Sequence, residues 1–389
     1  MNFAESTCRL RACCLLLVLT SRALVRPQSS ADVPSSITEY FRMISTVDNP
    51  LSLRKHYGMH QSSIDFYPGS LNIVLSVPHD GDLKSNLPSR PAGACRKVNS
   101  TSKTCYYQHP CPPGNFRVDT KLCPVSHGRD RNTRLLALAL RYELGQLLGL
   151  KPFVVINRLE RTKVDMNRFI DQGTFGAVKS MHAWMAYHFY VRHARELIVT
   201  SPQNHAGKGL LFDLHSQEHE EGWVELGYLL TSRQLAKEKV ELKSSSLASY
   251  FADLFDPDEI IRGNRSLGHF ITKYWFPATP SPIYPSPPAQ SYFDWGYTIE
   301  EYGRHQNFSA IMIESPSQEL LELPKLYVYA KSLAMALHDY LLAVELLEPL
   351  VAPESPTSTE VKSLCNQAMR YKGQISALLL VLSSMTKVI

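Results

Sequence analysis

The sequence carries little net charge. Lysine and arginine number 41 and aspartate and glutamate 36, which gives the 389 residues a formal net charge of +5. Three arginines and one glutamate lie in the first 23 residues, so removal of that segment would bring the charge closer to zero. A charge this weak and dispersed is not typical of proteins that bind nucleic acids. We predict no nucleic-acid partner.

Long hydrophobic runs are missing as well, and the apolar stretch near the amino terminus is too short to span a bilayer comfortably. That stretch, CCLLLVLTS, follows Arg9 and Arg11 and ends shortly before Ala23. Basic, apolar and small residues in this order are typical of a secretory signal peptide. We predict that residues 1–23 are a signal peptide and that the protein is secreted and extracellular. Glycosylation would fit, since N-x-[ST] sequons begin at Asn99, Asn264 and Asn307.

No two cysteines have the C-x-x-C spacing of a zinc knuckle. Four of them instead crowd into one loop that is rich in proline, glycine and serine, namely Cys95, Cys105, Cys111 and Cys123. In an oxidising compartment, two local disulfides would close such a loop. We therefore predict a disulfide loop over residues 95–123, with a four-cysteine zinc site as the alternative.

The carboxyl terminus combines a polar spacer with a short apolar tail, ISALLLVLSSMTKVI. We assign residues 349–389 to this linker and tail, and residues 24–348 to a single domain. The order of spacer and tail resembles a GPI-anchor signal, although the tail is short and contains Lys387. An ordinary amphipathic helix is the alternative. We expect membrane attachment only if the chain is GPI-anchored.

Four short apolar runs, each closed by polar residues, read as buried strands. They cover residues 71–81, 151–159, 209–215 and 309–316. Helical periodicity fills the gaps between them at 132–149 and 176–199, and a closing helix is expected at 324–348. This alternation predicts an α/β fold with a mostly parallel sheet flanked by helices. Ligands bind at the carboxyl ends of such strands.

Polar residues that could form a hydrolytic zinc site lie at these strand ends. Such a site needs about three protein ligands, an open position for water and a nearby carboxylate that takes a proton. His79, with Asp82 three residues on, and His215 could supply the ligands, and Glu314 could be the carboxylate. We therefore predict one zinc ion, held by His79, Asp82 and His215.

The stretch GLLFDLHSQEHEEGW, residues 209–223, can be interpreted in two ways. His215, Glu218 and His219 form an H-x-x-E-H motif, in which two histidines on one helix hold a zinc ion. The run LLFDLH before the motif, however, is apolar and strand-like, so we favour His215 at the end of a strand. His219 is then expected to be a loop residue near the site.

Basic residues in RTKVDMNRF, residues 161–169, suggest a small anionic ligand. An ordinary solvated loop would also carry such charges. An Asn-Arg pair preceded by a second arginine offers more, because one guanidinium can bind a carboxylate through two hydrogen bonds while another stabilises a carbonyl oxyanion.

Several segments together resemble the N-formylglutamate amidohydrolase family. In order along the chain they are VPHDG, PFVVINRLERTKVDMNR, LLFDLHSQEHEEGWVELGY, WGYTIEEYG and IMIESP. The arrangement is also similar, more distantly, to zinc carboxypeptidases and aspartoacylases. The resemblance covers roughly residues 70–340 and is most specific in DMNR and DLHS.

The resemblance implies a phosphorylase/hydrolase-like α/β fold around one zinc ion. By position, His79 and His215 resemble zinc ligands and Glu314 the general base. Arg161 resembles the arginine that polarises the scissile carbonyl. Asn167 and Arg168 resemble the residues that hold the substrate carboxylate. His219, as a loop residue near the site, is assigned to substrate binding on its position alone.

Two departures from the related families affect these assignments. The carboxypeptidases and aspartoacylases have H-x-x-E where this chain has HDGD, so Asp82 would be a shorter ligand, and Asp80 is an alternative. Family members tend to have HGG and GGY where this chain has HDG and WGY. The pocket is therefore expected to differ.

The combined expectation is a secreted, zinc-dependent hydrolase that cleaves an amide or peptide bond next to a free carboxylate. Zinc would activate water and Glu314 would move its proton. The substrate would be a small-molecule carboxylate or a peptide. The alternative is a pseudoenzyme without metal that binds small carboxylates or peptide C-termini, which the altered HDGD segment would allow.

Overall fold

The computed structural model describes residues 36–52, 63–90, 128–200, 207–251, 253–288 and 292–347, together with the backbone of two short strands between residues 91 and 127. These ranges belong to one compact unit, Pro34–Leu347. The predicted signal peptide, the side chains of the four loop cysteines and the predicted tail lie outside the described residues. Their assignments stay predictions.

Strands and helices alternate along the unit. The strands are β1 (Leu51–Ser52), β2 (Ile64–Tyr67), β3 (Ile73–Val77), β4 (Arg96–Val98), β5 (Cys105–Tyr107), β6 (Phe153–Asn157), β7 (Gly209–Gln217), β8 (Val224–Gly227), β9 (Ala278–Thr279) and β10 (Phe308–Pro316). The helices are α1 (Ile37–Ile44), α2 (Thr133–Leu148), α3 (Ile170–Thr174), α4 (Val178–Thr200), α5 (Ser232–Leu235), α6 (Ala248–Phe251), α7 (Pro257–Ile261), α8 (Leu267–Lys273), α9 (Tyr297–Tyr302), α10 (Ser317–Leu320) and α11 (Leu323–Ala343). A short 3₁₀ helix covers Leu242–Ser244.

Eight of the strands form one mixed sheet in the order β1-β2-β6-β3-β7-β10-β8-β9. The four central strands, β6, β3, β7 and β10, run parallel to one another. Strands β2 and β8 pair antiparallel with the outer members of this group. The central strands are rich in valine, isoleucine and leucine because helices cover both faces of a parallel sheet. Strands β4 and β5 form a separate antiparallel pair.

Alternate residues of the central strands face two different layers of helices, as the pleat requires. Leu210, Phe212 and Leu214 of β7 join the apolar cluster that contains α2 and α11. Leu211 of β7 and Met312 of β10 join the opposite cluster, which contains α4 and α9. The odd-numbered residues of β7 therefore face the side of the sheet that α4 covers.

The four predicted strands and the three predicted helices are confirmed, as is the α/β class with a mostly parallel centre. The ends of two central strands differ from the prediction, and both strands carry predicted site residues. Strand β7 continues for two residues beyond His215, and β10 continues for two residues beyond Glu314. The proline-rich stretch 276–297 contains the short strand β9, which pairs with β8. Within the described residues, no helix combines the length and apolar character needed to span a bilayer.

Candidate metal centre

Loops that follow the central strands meet at the carboxyl edge of the sheet. His79 lies two residues after β3, and the backbone nitrogen of Asp130, just before α2, donates to its carbonyl oxygen at 3.3 Å. The loops after β3 and β6 also run close together. A Cβ atom at Gly81 would lie only 2.0 Å from the carbonyl oxygen of Leu159, so this approach needs a residue without a side chain.

His215 lies on a strand, as the apolar run before it predicts. It pairs with Glu314 in the parallel register between β7 and β10. Residues 218–223, which contain His219, are not helical. The one-helix interpretation of the H-x-x-E-H motif is therefore wrong for this chain, because two histidines can face one ion across four positions only on a helix.

Two histidines and one aspartate converge at this edge and could hold a metal ion. His79, Asp130 and His215, here called the metal cluster, are all buried, and each offers one ligand atom within 4.8 Å of the others. Oδ2 of Asp130 lies 2.9 Å from Nδ1 of His215 and 3.3 Å from Nδ1 of His79. Two imidazole nitrogens and a carboxylate oxygen are a typical donor set for an open zinc site.

The other nitrogen of each histidine is held by a second buried aspartate. Nε2 of His79 lies 2.7 Å from Oδ1 of Asp165, and Nε2 of His215 lies 2.9 Å from Oδ2 of Asp213. An ionised carboxylate accepts hydrogen bonds, so with a metal ion on Nδ1 each imidazole would donate from Nε2 to its own aspartate. Metal-binding histidines are almost always fixed in this way.

The electrostatic surroundings favour positive charge at the metal cluster. Burial by itself lowers the pKa of His215, but Asp213, Glu314 and Asp130 outweigh it and raise the pKa well above its usual value. Burial raises the pKa of Asp130, but its hydrogen bonds with His215 and His79 lower it overall. A divalent cation would supply the positive charge that these carboxylates otherwise stabilise as a proton on His215.

The third predicted ligand needs correction. Asp82 is not a member of the metal cluster; its side chain is 54% exposed and pairs with Nη1 of Arg129 at 3.2 Å. The alternative, Asp80, accepts from Nε of Arg129 and from the backbone nitrogen of Arg134, both at 2.8 Å. Arg129 thus engages both acids of the HDGD segment, and Asp130, rather than Asp82, lies with the two histidines.

Asp165 connects His79 to two arginines. Its Oδ2 accepts from Nε of Arg161 at 3.0 Å and lies 3.6 Å from Nη2 of Arg90, while its Oδ1 accepts from the backbone nitrogen of Asn167. Burial raises the pKa of Asp165, but Arg161 and His79 outweigh it and hold this pKa well below the usual range. The carboxylate is therefore kept ionised beside His79.

Asp213 is supported by hydroxyl groups instead. The hydroxyl of Ser76 donates to Oδ1 of Asp213 at 2.7 Å and lies 2.6 Å from the hydroxyl of Tyr187. All three residues are fully buried. A chain of hydrogen bonds thus runs from α4 through β3 and β7 to His215.

Glu314 lies beside His215 on the same face of the sheet. The register pairs it with His215 on one side and with Glu225 of β8 on the other. Burial raises the pKa of Glu314 to about 8, and the carboxylates of Asp130 and Glu225 add to the shift against His215 and Arg161. A pKa near neutrality suits a group that both takes and returns a proton.

Asn167 and Arg168 border the same site. The Nδ2 atom of Asn167 lies 3.1 Å from Nε2 of His215, and its Oδ1 accepts from the backbone nitrogen of Thr298 at 3.0 Å. Arg168 is half-buried, and its guanidinium lies 5.6 Å from the ring centroid of Trp295. Binding of a substrate carboxylate by either residue stays a prediction.

His219 is a loop residue, as expected. Its Nδ1 contacts Oε1 of Glu225, and its ring stacks on Phe293 at 5.0 Å with an interplanar angle of 7°. Because Glu225 neighbours Glu314 in the sheet, His219 is connected to the site through a carboxylate.

Three buried aspartates of the site were missed from the sequence, and each carries a signal that could have found it. Asp130 comes just before the predicted helix 132–149, at the far end of the loop that begins with His79. Asp213 precedes His215 by two residues and so shares its face of the strand. Asp165 lies inside the quoted DMNR segment. The contacts of Asp130 and Asp165 with His79 could not be predicted from the sequence, because these residues are far from His79 along the chain.

No family description and no curated protein matches the chain. The N-formylglutamate amidohydrolase of Ralstonia eutropha JMP134 is 12% identical over 73% of this chain and 99% of its own, with a TM-score of 0.40. The gene product Atu2144 of Agrobacterium tumefaciens is 11% identical over 75% and 100%, also with a TM-score of 0.40. The CwlD amidase of Clostridioides difficile is 13% identical over 69% and 97%, with a TM-score of 0.27. With sequence identities and TM-scores this low, the function of these proteins does not indicate the function of this chain, which follows from its own side chains.

Proposed function

We propose that this chain is a secreted, zinc-dependent amidohydrolase that cleaves an amide or peptide bond next to a free carboxylate. One observation supports this most strongly. Two histidines turn Nδ1 towards the same oxygen of Asp130, while separate aspartates hold their Nε2 atoms. This arrangement, with the buried carboxylate of Glu314 alongside, fits a catalytic zinc site with an open position.

The metal would be held by His79, Asp130 and His215. When bound, zinc supplies Lewis acidity that acidifies water and polarises a carbonyl group. Glu314 accepts the proton of the attacking water and returns it to the leaving amine. Its place beside His215 on a rigid central strand keeps it within the site without making it a member of the metal cluster.

The arginines supply binding and charge stabilisation. Arg161 is fixed by Asp165, the carboxylate that also holds His79, and its positive charge would stabilise the negative charge that develops on the carbonyl oxygen. Arg168 binds the substrate carboxylate, because its guanidinium lies at the border of the site and is positioned by the face of Trp295. Asn167 contributes through the amide beside His215.

The test compares metal content and turnover in two matched variants. The purified protein should contain about one zinc per chain and hydrolyse N-acyl amino acids or dipeptides. Glu314→Gln should keep its zinc and lose about 10²- to 10⁴-fold in kcat. Glu322→Gln, at a glutamate that is 65% exposed and paired with Lys325, should change neither. Full activity in Glu314→Gln would contradict the mechanism, and a protein that binds carboxylates without any metal would be the pseudoenzyme instead.

Secretion is the remaining part of the proposal. The exposure of Asn264 and Asn307, each the first residue of a sequon, supports it because a glycan needs free surface. Protein expressed in secreting cells should appear in the medium and lose mass on treatment with an N-glycosidase. Retention in the cytosol with an intact amino terminus would contradict it.

A further inference from the structure

The segment of residues 292–298 crosses the site and is tethered to it at both ends. At one end the backbone nitrogen of Phe293 donates to Oε2 of Glu225 at 3.2 Å. At the other, the backbone nitrogen of Thr298 donates to Oδ1 of Asn167 at 3.0 Å. Between them, a Cβ atom at Gly296 would lie 2.5 Å from the amide of Asn167. The segment therefore lies directly against the carboxylate-binding side of the site.

The polar residues beside this segment form a row, joined by hydrogen-bond contacts at one end and by neighbouring positions in the sheet at the other. Arg168 donates to the carbonyl oxygen of Asn167, whose amide lies beside His215. His215 pairs with Glu314, which pairs with Glu225 across the sheet. The predicted carboxylate-binding arginine is thus at one end of the row, and the base is in the middle.

An aromatic surface stands at the arginine end of this row. Trp295 lies over the Arg168 guanidinium and 6.1 Å from the ring of Phe169. Phe169 in turn meets Tyr297 edge to face at 5.0 Å. We call Phe169 and Trp295 the aromatic wall. The ring of Trp295 is oriented by a hydrogen bond, because its Nε1 donates to Oε2 of Glu300 at 2.6 Å.

A bound carboxylate on Arg168 would bring the rest of its half of the substrate against this wall. If the proposed function holds, that half is the amine product, and its side chain projects from the carbon next to the carboxylate. We infer that Trp295 selects an aromatic side chain at this position, so that the preferred substrates are N-acyl derivatives of aromatic amino acids.

The charges nearby agree with an aromatic rather than an acidic side chain. Arg161 and Arg90 already engage Asp165, and Arg90 also donates twice to the carbonyl oxygen of Arg161. A second carboxylate on the substrate would have to compete with Asp165 for these guanidinium groups. A ring, by contrast, gains the offset or edge contacts that aromatic groups favour.

The test measures selectivity in variants of Trp295. For the zinc-loaded protein, kcat/KM for N-acetylphenylalanine should exceed that for N-acetylglutamate. Trp295→Ala should reduce the first value at least about tenfold and the second by less than about threefold, since removal of an apolar contact costs most for the substrate that uses it. Trp295→Phe, which keeps the ring and loses the hydrogen bond to Glu300, should preserve the preference. Trp275→Ala, at a tryptophan that is 88% exposed, is the control and should change neither value.

Equilibrium binding of the free amino acids separates this inference from the proposed function. Phenylalanine should bind more tightly than glutamate by titration calorimetry, and Trp295→Ala should abolish the difference, whether or not the protein turns over. Hydrolysis with equal losses for both substrates in Trp295→Ala, or with a preference for glutamate in the wild type, would overturn the inference and leave the proposed hydrolase intact. Selective binding without hydrolysis would retain the aromatic wall and contradict the hydrolase.

Discussion

Each histidine of the metal cluster is held by a buried aspartate, but the two aspartates have different partners. His79 rests on Asp165, which is ionised between the guanidinium groups of Arg161 and Arg90. His215 rests on Asp213, whose Oδ1 accepts from the hydroxyl of Ser76. The first support is built from full charges on loops, and the second from neutral hydroxyls on adjacent strands and a helix.

This difference indicates how the two halves of the site divide their work. The charged half also carries the predicted carbonyl-polarising arginine, so metal binding and substrate activation share the carboxylate of Asp165. The neutral half orients one imidazole within the rigid sheet and contains no arginine, and Nε2 of that imidazole lies 3.1 Å from the amide nitrogen of Asn167. Perturbing the charged half should therefore affect stability, metal binding and substrate binding together, whereas perturbing the neutral half should affect stability and metal binding and leave substrate binding nearly unchanged.

Asp165→Ala should produce the largest effect. It removes the partner of His79 and leaves two largely buried guanidinium groups without their carboxylate, and breaking such buried pairs typically costs about 3–5 kcal/mol. The free energy of unfolding, measured in urea without added metal, should fall by about that amount. Zinc affinity, measured by competition with a chelator, should fall by more than about 100-fold. A variant with normal stability would show that the arginines have adequate partners elsewhere.

Asp213→Asn should have a smaller and more specific effect. The amide keeps the size of the side chain but can turn a donor towards His215, so the imidazole loses its fixed orientation. Removing a partner of this kind costs about 10- to 100-fold in metal affinity. We expect that loss in zinc affinity, with KM for a carboxylate substrate nearly unchanged once zinc is saturating. A raised KM at saturating zinc would contradict the division between the two halves.

Ser76→Ala should have the smallest effect of the three. It breaks the link through Ser76 between Asp213 and Tyr187 and removes one hydrogen-bond partner from each of these buried groups, which costs about 1–3 kcal/mol of unfolding free energy. Zinc affinity should fall by less than in Asp213→Asn, because the carboxylate of Asp213 remains beside His215. Tyr187→Phe is the matched control, since it removes the outer hydroxyl alone. A greater loss of zinc affinity in Tyr187→Phe than in Ser76→Ala would contradict the proposed series of hydrogen bonds from Tyr187 through Ser76 and Asp213 to His215.

The sequence predicted the rigid parts of the site better than its loops. Apolar runs predicted β3, β7 and β10, and the structure brings the polar residues in or directly after them, His79, His215 and Glu314, to one edge of the sheet. The third member of the metal cluster was not predicted, since Asp130 lies 51 residues after His79 in the sequence and only the folded chain brings the two together. The sequence distance from His79 favoured Asp82, whereas the fold returns Asp130 and lets Arg129 engage Asp82.

The aromatic wall illustrates the same limit. The proline-rich composition of residues 276–297 predicts irregular structure and contains no information about which aromatic residue meets Arg168. That contact depends on the anchoring of residues 292–298 to Glu225 and Asn167, which is a property of the folded chain.

The central claim is that His79, Asp130 and His215 hold one zinc ion. Its most direct test is the zinc dissociation constant, measured by chelator competition in Asp130→Asn and Asp82→Asn. Both variants remove one carboxylate charge, and both keep the size of the side chain. The account predicts that Asp130→Asn loses at least about 100-fold in zinc affinity, since a ligand is lost outright, while Asp82→Asn stays within about threefold of the wild type. Strong zinc binding in Asp130→Asn together with its loss in Asp82→Asn would contradict this assignment.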